Sequence, residues 1–518
     1  MSENDEPEKL VVAAFRETQR NQQLLSRRVS MLSYDRYKHT IQASIEILNP
    51  CRDSILRRTQ PRGAIVNLVA TICGGGVLSL PFAFEHAGII PGTALMIFAA
   101  IITDFSLYIL CSCARRTGGR TYADVALVAF GPLAEMATSL LIFFLLLFFL
   151  IAYIVLVKDV WTPILLCLLP AQALIPYDVS HLSENEQEEV AGDFVSLLAL
   201  TLVSPFLLKR DLHGLRHTCY VGLCSACLLA LAIVIRAAQR NISTNMFETH
   251  VKLYATSWAD LLFAFPIIVL SFMCCYNVLA VHGALVDPSR ERLRFVIDGS
   301  MMTVFCLFYT IGMFGYLCAY EDTQDNIFLN FDMSDHVFFL GRAGYAVTLT
   351  LAMPLAMLPC REALLSLPEQ WHNRRASAEM KAVGESSIII NGVNFDEELP
   401  LLSKAISEYD SMERTTTDNV TLDPPTCGEY LSHVGSTVLI ITVAYVGAIA
   451  VPGVAIVWSI CGSFMAIIIA FFIPSACYLK IRHKRGINPR IIGAACLLVF
   501  SGVACVACTA QTVWRMLQ

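Results

Sequence analysis

Long apolar segments constrain this chain more than any other feature of its sequence. Thr138–Val157, for example, contains no charged side chain, and a helix needs about 20 apolar residues to cross the hydrocarbon core of a bilayer. The composition agrees, because 56% of the 518 residues are hydrophobic and 15% are charged, against about 25% charged in a typical soluble domain. A chain of this kind is expected to fold as helices in a membrane.

Eleven segments are long and apolar enough to cross a membrane. We number them span 1 to span 11 and predict them at Pro61–Gly88, Gly92–Ala114, Leu133–Val157, Asp193–Leu208, Cys219–Arg236, Trp258–Val281, Phe295–Cys318, Val337–Cys360, His433–Ala450, Val454–Leu479 and Ile491–Val513. The predicted fold class is all-α and polytopic. A tail at residues 1–60 precedes spans 1–8 (residues 61–360), and an insert at residues 361–432 precedes spans 9–11 (residues 433–518).

The positive charges are distributed as this topology requires. With the amino terminus in the cytosol, all but six of the 37 lysines and arginines fall in the tail or on the cytosolic side. The exceptions are Lys158, Arg236, Arg240, Lys252, Arg342 and Arg515. Cytosolic loops of membrane proteins are enriched in Lys and Arg, so the pattern supports both the number of spans and their orientation.

One further apolar segment competes for a place among the spans. Trp161–Pro176 is short, and Pro163, Pro170 and Pro176 interrupt it. A twelfth crossing here would move every later loop to the opposite side and remove the charge asymmetry. We therefore predict a re-entrant or interfacial segment on the outer face.

The tail and the insert are predicted to be cytosolic and disordered. The tail has no apolar core of the length that a signal peptide needs, and the insert mixes acidic residues with Ser and Thr. Glu397–Leu402 has the acidic dileucine form that sorting adaptors bind. Two locations therefore stay open, a vacuolar or lysosomal membrane and the plasma membrane.

Span 1 contains the most unusual sequence. Gly74, Gly75 and Gly76 are consecutive near its middle, and each glycine in a helix costs about 1 kcal/mol relative to alanine. Backbone freed at membrane depth persists only where it lines a cavity or is buried in protein. Two interpretations are open: close packing of small residues, or an unwound segment whose half-helix, from Val77 onward, points its N-terminus at an anionic group.

Span 6 contains Pro266. Proline removes a backbone hydrogen bond and kinks a helix, so this residue predicts a second interruption. Interruptions at matching places in two halves are typical of transporters built from inverted repeats. Here they fall in the first and the sixth of ten spans, with one span in addition. The pattern indicates a binding site between two broken helices.

Six stretches of the chain match a known pattern in the same order. They are GGGVLSLPFAFEHAG (Gly74–Gly88), TDFSLYILCSCARRTGGRTYADVA (Thr103–Ala126), LLFAFPIIVLSFMCCYNVL (Leu261–Leu279), FGYLCAYEDTQDNIFLNF (Phe314–Phe331), MPLAMLPCR (Met353–Arg361) and FFIPSACYLKI (Phe471–Ile481). The chain thereby resembles the amino acid/auxin permease family, in particular its sodium-coupled neutral amino-acid transporters and fungal vacuolar transporters. The resemblance implies a LeuT-like inverted 5+5 repeat plus one helix, which carries amino acids by alternating access.

The resemblance also implies a substrate site at the two breaks. The backbone that holds the substrate carboxylate corresponds to Thr71 and to Gly74, Gly75 and Gly76. The broken part of the sixth helix corresponds to Phe265–Cys274, which supplies the candidates Phe265, Ser271, Phe272 and Cys274. Ser271 and the backbone at Phe272 are implied for the α-amino group, and the surroundings of Cys274 for side-chain selection. None of these residues is charged, which favours neutral substrates.

The coupling ion stays open between sodium and a proton, with uncoupled exchange as a further alternative. The residues implied for sodium are Asn67, Thr348 and Thr350. Ala70 and Ala352, however, stand where sodium-dependent relatives carry an asparagine and a hydroxyl group. We therefore expect weak sodium dependence, and we predict no cofactor and no other metal.

Ionisable groups within spans usually pair or carry function, and four such residues are candidates for either role. Glu85 and His86 lie at the outer end of span 1, Asp104 in span 2 and Arg342 in span 8. Glu85 and Asp104 are candidates for a proton relay. For Asp104, pairing with a neighbouring charge is the favoured interpretation.

Two other functions fit parts of the sequence. His282 and Asp287 form an HxxxxD pattern like that of acyltransferases, but no partner motif accompanies it, so we expect no enzyme. The tail and insert fit an amino-acid-sensing transceptor with little net transport. The expected partners are an amino acid, the bilayer and sorting adaptors; we predict a monomer that binds no nucleic acid.

Two glycosylation acceptors test the topology. Asn241 and Asn419 each begin an Asn-X-Ser/Thr sequence, which is modified only on the lumenal or extracellular side. Because Asn419 lies in the predicted cytosolic insert, we expect glycosidase to shift the gel mobility of wild type and of Asn419→Gln, but not of Asn241→Gln. If Asn419→Gln removes the shift instead, the insert is lumenal and the count is wrong near span 8.

Overall fold

The computed structural model describes residues 59–119, 121–169, 183–209, 216–244, 251–286, 289–331, 335–387, 427–451, 453–482 and 488–517. Within these ranges the secondary structure is helical apart from one isolated bridge between Thr59 and Leu285. Ten helices are long and apolar enough to cross a membrane, and a bent pair in span 1 makes an eleventh. The predicted all-α fold with eleven candidate spans is confirmed, and the spans occur in the predicted order.

Most helices extend beyond the predicted apolar segments. The bounds are Ile89–Thr117 for span 2, Pro132–Leu168 for span 3, Glu184–Leu207 for span 4, Arg216–Thr244 for span 5, Arg290–Ala319 for span 7, His336–Ser387 for span 8, Cys427–Ala450 for span 9 and Pro489–Leu517 for span 11. Span 10 combines α-helix Val454–Ile460, π-helical Cys461–Ala466 and Ile468–Phe472, and α-helix Ile473–Arg482. A short helix, Tyr122–Phe130, lies between spans 2 and 3.

The helices group into two compact units. The first unit consists of Met1–Gly131, Arg216–Tyr345 and Trp458–Gln518, and the second of Pro132–Leu215 and Ala346–Val457. Spans 1, 2, 5, 6, 7 and 11 thus belong to the first unit and spans 3, 4 and 9 to the second. Spans 8 and 10 contribute residues to both.

Close packing of span 7 against span 1 organises the first unit. A Cβ added at Gly315 would lie 2.5 Å from Cγ of Pro81, and one added at Gly312 would lie 2.8 Å from Cε2 of Phe84. Phe84 is fully buried. Small residues let helices approach closely where apolar burial alone does not drive association, so these glycines position span 1 against span 7.

In the second unit, spans 3, 4 and 9 meet around an ion pair. Lys158 Nζ lies 2.6 Å from Oδ1 of Asp193, and the hydroxyl of Tyr445 donates to the Asp193 carbonyl at 3.2 Å. Gly447 allows span 9 to approach Ile151, since an added Cβ would lie 2.9 Å from the Ile151 Cδ1. A charged residue within each of the two helices of spans 3 and 4 is therefore neutralised within the unit.

The prediction for Trp161–Pro176 is wrong in its first half. Residues 161–168 continue the helix of span 3 through Pro163 instead of forming a separate segment. Trp161 Nε1 donates to Oγ1 of Thr350 at 3.0 Å, a contact within the second unit that the proline pattern does not reveal. Residues 170–176 lie outside the described residues.

Span 8 continues beyond its predicted end into the predicted insert, because its helix extends to Ser387. The buried guanidinium of Arg361 stabilises this continuation by donating to the carbonyls of Leu207 and Lys209 and to the hydroxyl of Thr437, at 3.0–3.2 Å. At its other end the insert is helical from Cys427. Residues 388–426, with Glu397–Leu402 and Asn419, and the tail before Thr59 lie outside the described residues.

The predicted loop at Asn241 is also shorter than expected, since span 5 continues to Thr244. Asn241 therefore lies on the last turn of that helix and not in a loop. Its exposure on the lumenal or extracellular side stays a prediction.

Alanine is about 1 kcal/mol better than glycine in a helix interior, so Gly→Ala stabilises an uncrowded site. At Gly315 the added Cβ overlaps Pro81, and relieving such an overlap costs about 1–3 kcal/mol. We expect Gly315→Ala to lower the melting temperature of the detergent-purified protein. Gly283, with nothing within 4 Å of its added Cβ, gives the control Gly283→Ala, which should melt no lower than wild type; equal melting temperatures would contradict the packing.

Candidate substrate site at two broken helices

Span 1 is interrupted at the three glycines. Its first half-helix, Pro61–Ile72, ends before Cys73 and Gly74, whose backbone is not helical. A 3-10 helix, Gly75–Ser79, then leads into the second half-helix, Leu80–Ala87. The two halves meet at a bend of 54°. The segment is thus unwound where the sequence predicted it.

The break leaves backbone amides available. The first N–H groups of a helix have no acceptor within it, and no other acceptor for the N–H of Gly75 or Gly76 lies among the described residues. Gly75 is buried and Gly76 partly so. Free amides at a helix N-terminus, reinforced by the helix dipole, attract an anion without any charged side chain.

Span 6 is also broken, within the stretch Phe265–Cys274 that the resemblance implied but beyond Pro266, where the proline pattern alone predicted an interruption. Pro266 lies inside the first half-helix, Trp258–Ser271, and the chain leaves the helix at Phe272–Cys274 before the second half-helix, Cys275–Ala284. The N–H groups of Phe272 and Met273 donate three residues back, at 3.2 and 3.0 Å, which tightens the end of the first half. The helix therefore absorbs the proline and ends one to two turns later.

Side chains connect the two breaks. The hydroxyl of Ser271 lies 3.0 Å from the Gly76 carbonyl oxygen and 2.8 Å from that of Ile267, so its one proton is shared between them. The Tyr345 hydroxyl donates to the Gly74 carbonyl at 2.7 Å. A Cβ added at Gly76 would lie 3.1 Å from Ser271 Oγ. The carbonyls of the break are thus satisfied by hydroxyl groups.

A second contact anchors the end of the first half-helix. The side-chain amide of Asn277 donates to Oγ1 of Thr71 at 2.8 Å, and Thr71 in turn donates to the Asn67 carbonyl at 2.9 Å. Thr71 therefore links span 6 to span 1. Sequence reasoning missed Asn277 and Tyr345; a polar residue in an apolar span was the available signal for Asn277.

The structure brings most of the predicted substrate residues together, with one exception. Phe265 packs against aromatic side chains of spans 2 and 11, its ring centroid being 6.4 Å from Phe98 and 5.9 Å from Phe500. Phe272 packs on Phe308 of span 7 at 5.5 Å. Phe265 therefore contributes to packing between helices rather than to the breaks.

A small cavity adjoins the break in span 6. It has a volume of about 10 Å³, the room of roughly one water molecule. Its lining comes from spans 2, 6 and 10 and consists of Thr103, Ser106, Leu107, Val269, Phe272, Met273, Cys274, Cys275 and Ala470. The Thr103 hydroxyl is buried with no hydrogen-bond partner among the described residues. The cavity is thus apolar with hydroxyl groups, and closed to a larger molecule.

The two candidate proton relays, Glu85 and Asp104, are each paired with a cation. Glu85 binds Lys252 and His86, each at 2.7 Å, and Asp104 binds Arg294 at 3.0 Å. The hydrogen bond that Lys252 donates to the Glu85 carboxylate raises the pKa of Lys252, which lies in the loop before span 6. Both candidate relays thus hold a cation. For Asp104 this agrees with the favoured interpretation.

The residues implied for sodium fall in both units. Asn67 and Ala70 belong to the first unit, and Thr348 and Thr350 to the second. Within the second unit, Thr350 Oγ1 donates to the Ala346 carbonyl at 2.7 Å and accepts from Trp161. A hydroxyl engaged in both ways has one lone pair left for a cation. The coupling ion stays a prediction.

Removing the hydroxyl of Tyr345 tests the contact that span 8 makes with the break in span 1. Tyr345→Phe leaves a buried carbonyl unpaired, which costs about 1 kcal/mol of unfolding free energy, so we expect a lower melting temperature. Tyr309, whose ring stacks on Phe305, gives the control Tyr309→Phe, because no partner of its hydroxyl lies among the described residues. Equal stability of the two purified variants would show that the Gly74 carbonyl does not depend on Tyr345.

Known proteins share the sequence pattern. Solute carrier family 38 member 10 of Homo sapiens is 24% identical over 83% of this chain and 33% of its own length, so the chain spans about a third of this relative. Vacuolar amino acid transporter 5 of Saccharomyces cerevisiae is 24% identical over 83% of this chain and 91% of its own. The crystal structure of MhsT in complex with L-phenylalanine superposes with a TM-score of 0.48 at 11% identity, covering 87% of this chain and 98% of that one.

A family model described as transmembrane amino acid transporter protein matches residues 57–514. The match includes spans 1–10, most of span 11 and both breaks. It confirms the family that the six motifs indicated, which is a family of transporters and not of enzymes. The chain therefore belongs to the transmembrane amino acid transporter family, the amino acid/auxin permeases, and is a multi-pass membrane protein.

Proposed function

We propose that this protein is a secondary active transporter of neutral amino acids that works by alternating access around the breaks in spans 1 and 6. The observation that carries the proposal is the pair of unpaired amides at Gly75 and Gly76, beside the hydroxyl of Ser271. Such amides bind a carboxylate without a charged side chain. The α-carboxylate is common to all amino acids, so this part of the site recognises the class.

The surroundings of the break favour a neutral side chain. The cavity beside Phe272 and Cys274 is lined by apolar and hydroxyl-bearing residues. Burying a charge there without a partner would carry a large desolvation cost. The carboxylates of spans 1, 2 and 6 are Glu85, Asp104 and Asp260, and they already hold Lys252, Arg294 and Arg515. We therefore propose neutral amino acids as substrates.

The membrane is proposed to be that of a vacuole or lysosome, or the plasma membrane. The yeast relative is named for the vacuole, which supports the first location. The human relative carries a solute-carrier name without a location. Microscopy of the tagged full chain beside markers of each membrane distinguishes the two.

Uptake by proteoliposomes tests the proposal and the coupling ion together. A labelled panel of neutral, acidic and basic amino acids is offered under imposed sodium or proton gradients. We expect gradient-driven accumulation of neutral amino acids, with a loss of less than half on replacing sodium by choline, because alanine occupies positions 70 and 352. A steep dependence on sodium alone would overturn the coupling expectation. Saturable binding without accumulation would instead establish the sensing alternative.

Blocking the amides tests the site itself. We expect Gly75→Val to reduce uptake to background while expression and membrane insertion persist, because a branched side chain obstructs the approach of a carboxylate to the backbone. Gly435→Val is the control, since Gly435 lies on span 9 with nothing within 4 Å of an added Cβ. Normal uptake by Gly75→Val would favour the packing role of the glycines.

A further inference from the structure

A basic cavity lies in the first unit at the ends of four spans. Its volume is about 410 Å³, within the range of small-molecule sites. Five arginines line it together with two hydroxyl-bearing residues and one leucine: Tyr108, Ser112, Arg115, Arg116, Arg290, Leu293, Arg482 and Arg490. None of these residues lies at the break in span 1 or span 6. The cavity is therefore separate from the proposed substrate site.

The arginines come from helix ends that are far apart in sequence. Arg115 and Arg116 end span 2, Arg290 begins span 7, Arg482 ends span 10 and Arg490 begins span 11. All four ends lie on the predicted cytosolic side by the charge distribution. The fold thus brings together, around one cavity, positive charges that lie at three separate loops in the sequence.

Four of the five arginines have no carboxylate partner within the part of the chain that the structure describes. No Asp or Glu there lies within 4.0 Å of Arg115, Arg290, Arg482 or Arg490. Asp104 and Asp298 instead pair with Arg294, which does not line the cavity. The arginines contact tyrosines: Arg482 donates to the Tyr478 hydroxyl, and Arg490 lies over the Tyr108 ring, 5.2 Å from its centroid.

One donor atom is left over. The Nε atom of Arg482 is buried and has no hydrogen-bond partner among the described residues. A buried guanidinium nitrogen without an acceptor is costly, and like charges around one cavity repel each other. An anion that enters the cavity relieves both costs, since it accepts hydrogen bonds and offsets the charge.

We propose that this cavity binds a phosphorylated inositol headgroup. The planar fork of a guanidinium matches a phosphate in bidentate fashion, and several arginines around one space suit a ligand with more than one phosphate. Tyr108 and Ser112 offer hydroxyl groups for the ring. Basic pockets between membrane helices on the cytosolic side are positioned at the depth of anionic headgroups, so the lipid itself is a source of the ligand.

Binding to the purified full chain tests the proposal. The probe is a fluorescent dioctanoyl phosphatidylinositol bisphosphate, whose anisotropy reports binding in detergent. Unlabelled inositol trisphosphate serves as the free headgroup, and dioctanoyl phosphatidylserine as a lipid with one phosphate. We expect saturable binding that rising salt weakens, and weaker competition by phosphatidylserine than by unlabelled bisphosphate lipid.

The decisive variant is Arg290→Gln/Arg490→Gln, which removes two exposed arginines of the cavity. A basic residue near a membrane surface contributes about 1 kcal/mol to binding of anionic lipid, or about fivefold in affinity, so the pair should weaken binding by about 25-fold. Arg292→Gln is the matched control, because Arg292 is exposed on the same helix as Arg290 but does not line the cavity. Its affinity should match that of wild type.

A second variant, Arg290→Lys/Arg490→Lys, keeps the charge but loses the planar guanidinium fork, so we expect an intermediate loss of affinity. It also tests the site if the glutamine variant fails to fold. Equal competition by inositol trisphosphate and intact lipid would support the free headgroup as a source, and weaker competition would support the lipid. Unchanged affinity in both double variants would overturn the site. An equal loss in Arg292→Gln, or competition by phosphatidylserine as strong as by bisphosphate, would reduce it to non-specific attraction and also overturn it.

Discussion

The need to satisfy backbone groups at membrane depth determines how this chain is built. Water does not reach the hydrocarbon core, so an interrupted helix there requires partners from the protein. Ser271 and Tyr345 supply donors to the carbonyls of Gly76 and Gly74, whereas the amides of Gly75 and Gly76 receive no acceptor from the described residues. The break is thus satisfied on its carbonyl side and open on its amide side, and this asymmetry makes it a site for an anion.

Charged side chains are also arranged differently at the two ends of the helices in the first unit. At the predicted outer ends, cations and carboxylates pair, as Lys252 does with Glu85 and Arg515 with Asp260. At the predicted cytosolic ends of spans 2, 7, 10 and 11, arginines converge on a cavity instead. The charge bias that orients a membrane protein therefore also gathers, on one side, the arginines that line the proposed anion site.

The number and order of the spans and the break in span 1 follow from the sequence, because apolar length and three adjacent glycines act locally. The resemblance implied a break in span 6 within Phe265–Cys274, and it lies at the end of that stretch, at Phe272–Cys274. Pro266 itself did not mark it, since a helix can absorb a proline when its neighbours pack around the kink; Gly462 of span 10 approaches the Pro266 carbonyl closely. Tyr345, 271 residues away from Gly74, had no local signal. The continuation of span 8 beyond its predicted end likewise depends on Arg361 and on acceptors that are distant in sequence.

The hydrogen bonds that close the breaks also indicate what opens them. The cavity beside span 6 has room for about one water, so a substrate at this break requires the side chains around it to rearrange. On the proposed function, an amino acid compensates for that rearrangement. Its carboxylate accepts from the amides of Gly75 and Gly76, and its ammonium group donates to a carbonyl that a hydroxyl releases. A zwitterion can therefore make hydrogen bonds to both the amides and the released carbonyl. An anion alone would bind only the amides, and a cation alone only the carbonyl.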